Sequence, residues 1–591
     1  MYLESKFIIL FIFLFSYLVV NQSQIFCSVN YAEGLEIQSK PSTSQTKRLR
    51  LTDALANKTW KGEFGKNVLK IDLGEERKFN TVRFQVKEDI TFTEIKLKAG
   101  TNTDNRIVIY TGSNKSALAN QWITIKVPKT TARYISLILR NARPKIFELE
   151  VYCTQKDFNG DGYDDFMVGA NEHDAGGGNN AERGRAYVYL GGSSLNSTPA
   201  LTLSGDENGA AFGSSVSDIG DINRDGYDDF IVSAPNHDSI GINQGKVYVY
   251  LGGFSLNSTP VLTLSGDEDN ARLGDSVSGI GDVNNDGYDD FMVGAPGHDA
   301  GLGGNADRGR AYVYFGGSSL NSTPTLTLSG DENSAFFGFS VSGIGDINRD
   351  GYDDFIVGAP DHEAGASGGF ANRGRVYIYF GGPTFSDPTV LDGDENGAYL
   401  GWYLSGLGDV NNDDYDDFIV VAPVHDTGAG SGANLGRSYV YFGGPTLSDP
   451  IVLDGDEPNI ASGWSVSSLG DVNHDSYDDF IISFDEHDAG AGNDADLGRA
   501  YVYFGGPTLS NPTVLDGDEY RAFFGRSASG IGDINGDRYD DFIISSPLHD
   551  MVGGSFDDRG RVYVYFGGSS LSEPSILDGD EDYSAFGYSV N

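Results

Sequence analysis

Seven short acidic segments hold the side chains in this sequence whose types and spacing best suit chemistry. They begin at Asp157, Asp221, Asp282, Asp346, Asp409, Asp471 and Asp533, at intervals of 61 to 64 residues. The second, Asp221–Pro235, reads DINRDGYDDFIVSAP. Each segment opens Asp-x-Asn-x-Asp, passes a sixth residue to Tyr-Asp-Asp, and ends in an apolar run. Hard cations such as calcium take six to eight oxygens, and alternate residues of a tight acidic loop can supply them. On that chemistry the ligands of the first loop are the side chains of Asp157, Asn159, Asp161 and Asp165, with the backbone carbonyl of Tyr163. The equivalent donors are Asp221, Asn223, Asp225, Tyr227 and Asp229 in the second loop, and Asp282, Asn284, Asp286, Tyr288 and Asp290 in the third. They are Asp346, Asn348, Asp350, Tyr352 and Asp354 in the fourth, and Asp409, Asn411, Asp413, Tyr415 and Asp417 in the fifth. The sixth has Asp471, Asn473, Asp475, Tyr477 and Asp479, and the seventh Asp533, Asn535, Asp537, Tyr539 and Asp541. Up to seven calcium ions are expected.

These loops begin like an EF-hand loop but differ from it. An EF-hand runs twelve residues to a glutamate and lies between helices. Here the loop ends at its ninth residue and enters Phe230-Ile231-Val232, which reads as a buried strand. The sixth position should favour positive φ. Gly162, Gly226, Gly287 and Gly351 meet that need, whereas Asp414, Ser476 and Arg538 do so less readily. The loops at Asp471 and Asp533 are therefore expected to bind most weakly.

Seven of the eight histidines recur at one position of the repeat: His173, His237, His298, His362, His425, His487 and His549. An acid follows each, from Asp174 to Asp550. Catalysis needs one asymmetric centre, so a sevenfold histidine reads as a loop-bracing hydrogen-bond partner. No Ser or Cys nucleophile motif accompanies them. The Gly-rich loops that follow differ between repeats, as at 175–182, 364–372 and 427–435, and such variation suits recognition.

The elements that must position these residues follow from the period. Each repeat offers four strand candidates: 212–216 leading into the acidic loop, 227–234, 246–251 and 260–264 in the second repeat. Four strands in each of seven repeats is the pattern of a β-propeller. The first repeat lacks the Phe-Gly strand that precedes every other acidic loop. The chain ends in Ala585-Phe-Gly-Tyr-Ser-Val590 with no loop after it. The C-terminal strand is therefore expected to join the 163–170 strand and close the ring, with the sequence complete at Asn591.

Phe-Gly before one strand and Gly-Ala-Pro after the next, as in Phe337-Gly338 and Gly358-Ala-Pro360, resemble FG-GAP repeats, found in the integrin α head and in secreted microbial proteins. The resemblance covers 157–591. It implies calcium in the loops between first and second strands and a partner on the opposite face. Departures are Leu273-Gly274, Leu400-Gly401 and Ser462-Gly463 for Phe-Gly, and Ser483-Phe-Asp485 for Gly-Ala-Pro, where a changed turn is expected.

The formal net charge is -44. Residues 34–153 hold 22 Lys+Arg against 12 Asp+Glu, while residues 157–591 hold 17 against 71. So acidic a body argues against nucleic acid and anionic membranes as partners. Lys6 followed by apolar Phe7–Val20 and polar Asn21–Gln24 has the form of a secretory signal, assigned to 1–28. A secreted or cell-surface chain with no membrane span after processing is expected. Two cysteines, Cys27 and Cys153, exclude a disulfide scaffold. Residues 34–153 carry short β-branched runs at 68–73, 81–86, 107–110, 122–127 and 134–139, punctuated by Gly74, Gly100, Gly112 and Pro128. That pattern predicts a sandwich or jelly roll. Leu69-Lys-Ile-Asp-Leu-Gly74, Arg133-Tyr-Ile-Ser-Leu137 and Phe147-Glu-Leu-Glu-Val-Tyr-Cys153 resemble the discoidin-like (galactose-binding-like) family, which binds glycans, lipid head groups or proteins.

The sequence thus describes an all-β chain: a β-sandwich at 34–153 and a seven-bladed propeller at 157–591. The function expected is calcium-dependent adhesion or recognition of a protein or glycan at a cell surface or in matrix, without enzymatic activity. A glycan-targeting module is the alternative, and the accessory part of a secreted hydrolase comes third.

Overall fold

The computed structural model describes the backbone of residues 48–50, 68–86, 90–100, 107–117, 122–140 and 146–152. It also describes 156–591 except 179–180, 240, 302–305, 366–370, 414, 427–433, 458–464, 476, 492–494, 538 and 551–557. The signal, Cys27, Cys153, Asp414, Ser476, Arg538 and Ser462-Gly463 lie outside the described residues. The chain divides into two compact units, one built from residues up to Gln155 and one carrying the repeats.

In the first unit, β1 (Arg48–Arg50), β2 (Val68–Val86), β3 (Ile90–Gly100), β4 (Ile107–Ala117), β5 (Trp122–Arg140) and β6 (Ile146–Tyr152) form one sheet. Its order is β1-β6-β2-β5-β3-β4, antiparallel throughout. Two packed sheets were expected; the described strands make one. The runs expected to break at Gly74 and Pro128 instead continue as 19-residue strands. Register shifts between Asp72 and Arg77 and between Phe79 and Thr81 absorb the irregular residues.

The repeats fold into seven four-stranded antiparallel sheets, the blades of a β-propeller. The first blade contains β7 (Phe166–Ala170), β8 (Arg185–Tyr189) and β9 (Leu201–Ser204). The second contains β10 (Val216–Gly220), β11 (Asp229–Ala234), β12 (Lys246–Tyr250) and β13 (Leu262–Ser265), paired in that order. Strand β10 starts four residues after Phe212. Gly213 turns the chain at φ 89°, and a side chain there would meet the Arg185 carbonyl at 2.2 Å. Phe212 precedes the strand and forms an isolated bridge to Gly184. Leu273 and Leu400 form the same bridge and stay buried, so replacing Phe by Leu is absorbed.

The period-2 pattern of the second strand explains how blades stack. Met167 joins Phe230, Val232, Tyr248 and Tyr250 in one core cluster, while Phe166, Val168 and Ala170 join Ile543, Val562, Val564 and Phe586 in another. Both faces of each blade are therefore buried, which is why the second strands read as continuous apolar runs. Within each blade the Phe opening that strand stacks on a Tyr of the third, as in Phe230–Tyr250 at 5.2 Å and Phe418–Tyr441 at 5.1 Å.

The C-terminal strand Ser589–Val590 pairs with β7, Ser589 opposite Gly169 and Val590 opposite Val168, and lies first in the sheet of the first blade. Its Phe586 ring meets Tyr187 edge-on at 5.4 Å. Asn591 Oδ1 accepts from Lys156 Nζ at 3.1 Å and from the Asp218 N–H at 2.9 Å.

Candidate functional site

Six of the acidic loops join the first strand of a blade to the second, and the loop from Asp157 leads directly into β7, the second strand of its blade. The Gly positions expected to need positive φ have it: Gly162 at 95°, Gly226 at 95°, Gly287 at 91° and Gly351 at 94°. The fourth position, which sequence reasoning missed, is left-handed in all seven loops. It is filled by Gly160, Arg224, Asn285, Arg349, Asn412, His474 and Gly536. Only two of the seven are glycine, so composition gave no cue. Asp and Asn side chains hold the turn instead. Asp282 accepts from the Asp286 and Gly287 N–H groups at 3.0 and 2.8 Å. Asn348 accepts from Asp350, and Asp350 from Tyr352.

The ninth aspartate is the most enclosed. Asp229 takes the Ile222 N–H at 3.1 Å on one oxygen and the Gly252 N–H at 2.8 Å on the other. The same two bonds recur in all seven blades, from Asp165 to Asp541. Burial, reinforced by Asp282, Asp286 and Asp289 and opposed by the Gly316 N–H, pushes the Asp290 carboxyl up to about 9. Burial does the same to Asp354, and drives Asp417, Asp479 and Asp541 well above the carboxylate range.

The eighth aspartate, not counted among the expected ligands, joins neighbouring blades. Asp228 Oδ2 accepts from the Asp157 N–H at 3.0 Å, and Asp289 Oδ2 from Asp221 at 2.9 Å. Asp353, Asp416, Asp478 and Asp540 continue the series, and Asp164 accepts from Asp533 at 2.9 Å. Seven equivalent bonds thus run around the propeller. They require glycine at the end of the first strand. A Cβ on Gly220 would lie 2.4 Å from Asp289 Oδ2.

Does this donor set suit a metal? All five positions offer oxygen, the choice of hard cations. The Asn411 Oδ1 is buried with no hydrogen-bond partner among the described residues. Like-charged carboxylates crowded in a low-dielectric loop are relieved by a divalent ion. Among the described residues, no three His, Cys, Asp or Glu side chains already converge as a metal cage. The donors fit calcium by type, and the carboxylates of a loop would have to draw together around it.

At the opposite ends of the strands, the repeated histidines brace the blades. In five blades the histidine accepts a loop N–H on Nδ1, as Ala300 donates to His298 at 2.8 Å. The Nε2 partner is not the acid that follows but an aspartate of the Gly-Asp-Glu segment closing the previous blade. His237 meets Asp206 at 3.1 Å, and His173 meets Asp580 at 3.2 Å. Tyr248 and Lys246 converge on Asp206 at 2.6 and 2.9 Å. Burial alone would raise the Asp206 carboxyl, but Tyr248, Lys246 and His237 hold it down to about 2. The acid after the histidine closes the variable loop: Asp488 accepts from the Ala495 and Asp496 N–H groups.

The turn expected to change at Ser483-Phe-Asp485 does not. The Asp479–Phe484 strand keeps six residues and its register against Arg499–Tyr503. Ser483 donates to the Gly525 carbonyl at 2.5 Å, and buried Asp485 pairs with Arg526 at 3.2 Å.

Comparison with known proteins agrees with this architecture. Residues 212–250, 273–314, 337–379 and 524–565 match the family profile described as FG-GAP repeat. The chain carries FG-GAP repeats arranged as a seven-bladed propeller. It is 33% identical to integrin alpha-5 of Xenopus laevis over 268 residues, 43% of this chain and 23% of that protein. It is 27% identical to human phosphatidylinositol-glycan-specific phospholipase D over 440 residues, 65% of this chain and 50% of the relative. The chain thus spans half or less of these relatives' length. A solved family 32 CBM from C. perfringens, in complex with galactose, aligns at 16% identity over 18% of this chain and 75% of its own, with a TM-score of 0.13.

The expectation of a non-enzyme is overturned. Relatives from human, rat, mouse and cow, 26–29% identical over 59–65% of the chain, are named as phospholipase D enzymes and point toward a hydrolase. The sequence argument rested on the sevenfold repetition of the histidines and on the lack of a Ser or Cys nucleophile motif beside them. Neither bears on chemistry housed in the first unit or in one blade alone.

Proposed function

We propose that this chain is an exported recognition protein whose propeller is held by calcium in its seven acidic loops. It presents the opposite face to a protein or glycan at a cell surface or in matrix. The observation that carries this reading is the sevenfold acidic loop, with five oxygen donors and a ninth carboxylate buried among like charges. Metal supplies the charge that these loops otherwise lack, and the integrin relatives support adhesion as its use. Binding of the full chain to cells, with calcium and then with EDTA, tests it. Binding that EDTA leaves unchanged argues against the proposal.

A second reading is favoured by the length of the phospholipase match. In it the propeller serves a hydrolase that acts on phosphatidylinositol-glycan, as the names of those relatives state. Incubating the full chain with a phosphatidylinositol-glycan and assaying its hydrolysis tests this directly; no product would argue against it.

A further inference from the structure

The propeller repeats itself closely, so the position where it does not is informative. The residue after each Phe-Gly pair differs in every described blade: Ser214, Asp275, Phe339, Trp402, Arg526 and Tyr588. Each lies at or just before the start of a first strand, and the first strands of successive blades neighbour one another around the axis. These side chains therefore surround the axial mouth on the face away from the acidic loops.

On one side of that mouth they form a connected group. Phe339 and Trp402, from adjacent blades, meet edge-on at 4.9 Å. Arg526 lies over the Tyr588 ring at 5.6 Å and pairs with Asp485. Asp485 is fully buried, and its Oδ1 has no hydrogen-bond partner among the described residues. Tyr403 follows Trp402 in the chain; burial pushes its phenol up, Arg526 opposes the rise, and Asp485 and Tyr588 add to it.

Resting on the recognition reading above, we infer that this group binds a neutral saccharide at the axial mouth. Half-buried aromatic side chains offer apolar surface to the C–H face of a sugar ring. The part-exposed Arg526 guanidinium fork offers donors to its hydroxyls, and buried Asp485 holds that fork in place. A cationic guest fits less well, because the Tyr588 face already carries the protein's own Arg526. An anionic guest fits less well too, because Asp485 already balances that charge.

The four tryptophans of the chain include only two in the repeats, Trp402 and Trp464, both directly after the Phe-Gly position. Of these, Trp402 belongs to the group described, so the part of the full chain's intrinsic fluorescence that Trp402→Phe removes reports on this mouth. The probes are the methyl glycosides of galactose, mannose and N-acetylglucosamine, titrated in calcium, with calorimetry alongside. At least one should give a saturable change. Trp402→Ala should weaken it about tenfold, the loss expected when an aromatic contact is removed. The double variant Asp485→Asn with Arg526→Gln should weaken it as well, without leaving a lone buried charge. Unchanged melting in calcium shows that both variants fold; if Trp402→Ala does not, Trp402→Phe replaces it. Three results overturn the inference: no response to any of the three glycosides, binding indifferent to both variants, or a peptide rather than a glycoside lost on Trp402→Ala. EDTA-sensitive cell binding without glycoside binding removes the saccharide and leaves the recognition reading standing.

Discussion

Phe586→Ala tests whether the C-terminal strand is part of the propeller's cooperative structure. Phe586 is 1% exposed and packs on Tyr187 of the first blade, 399 residues earlier in the chain. Phe337 holds the equivalent place in the middle of the chain, edge-on to Tyr377 at 5.0 Å. Truncating a buried Phe costs about 3–5 kcal/mol. A cooperative unit of roughly 430 residues, at ~2.1 cal/mol/K each, unfolds with an entropy near 0.9 kcal/mol/K, so the expected fall in Tm is about 3–6 °C. The assay is melting of the full chain at fixed calcium and scan rate for Phe586→Ala, Phe337→Ala and Phe254→Ala. Phe254 is 90% exposed and serves as the control. If the C-terminal strand latches the ring, the first two variants fall together and the third does not move. A Phe586→Ala shift equal to that of Phe254→Ala, with Phe337→Ala falling as calculated, refutes the latch.

Other outcomes follow from the same contacts. Gly220→Ala places a Cβ 2.4 Å from Asp289 Oδ2 at φ 68°, whereas Gly209→Ala at φ 76° meets nothing within 4 Å. Both carry the left-handed penalty of about 1–2 kcal/mol, and only the first should also lose the bond to the next blade, so its Tm should fall further. Asp206 has a depressed pKa, so its contribution to stability is full above pH ~4 and is lost as pH falls through about 2. Asp206→Asn should therefore melt below the parent at pH 5 and close to it at pH 2. Asp290 has a raised pKa, so in metal-free protein its penalty grows from pH ~4 up to about 9. In EDTA the Tm should fall over that range, and Asp290→Asn should flatten the fall; an equal slope in both proteins would show that this carboxyl is not its source.

The propeller was legible because its signals are local and repeated. The 61–64-residue period, the apolar second strands and the Tyr-rich third strands each follow from burial on two faces. What was not legible lies between repeats. The eighth aspartate looks like one more acid in an acidic loop, and only the neighbouring blade gives it the Asp221 N–H to accept. The histidine's true partner, Asp206, sits 31 residues before His237, beyond the reach of an adjacent-residue reading. Ser483-Phe-Asp485 looked disruptive because its compensation, Arg526, comes from the following repeat. The first unit misled for a different reason: Gly and Pro were read as strand ends, and bulges carried the strands through them.

The central claim is that calcium holds the propeller together through its acidic loops. Calorimetric titration of metal-free full-length chain with calcium, followed by melting of the same samples, tests it most directly. Several equivalents should bind, up to seven, with the loops at Asp471 and Asp533 filling last. Ions bound only by the folded loops stabilise by mass action, so the Tm should rise with calcium and fall by many degrees in EDTA. No measurable binding, together with superimposable melts in calcium and EDTA, would contradict the account.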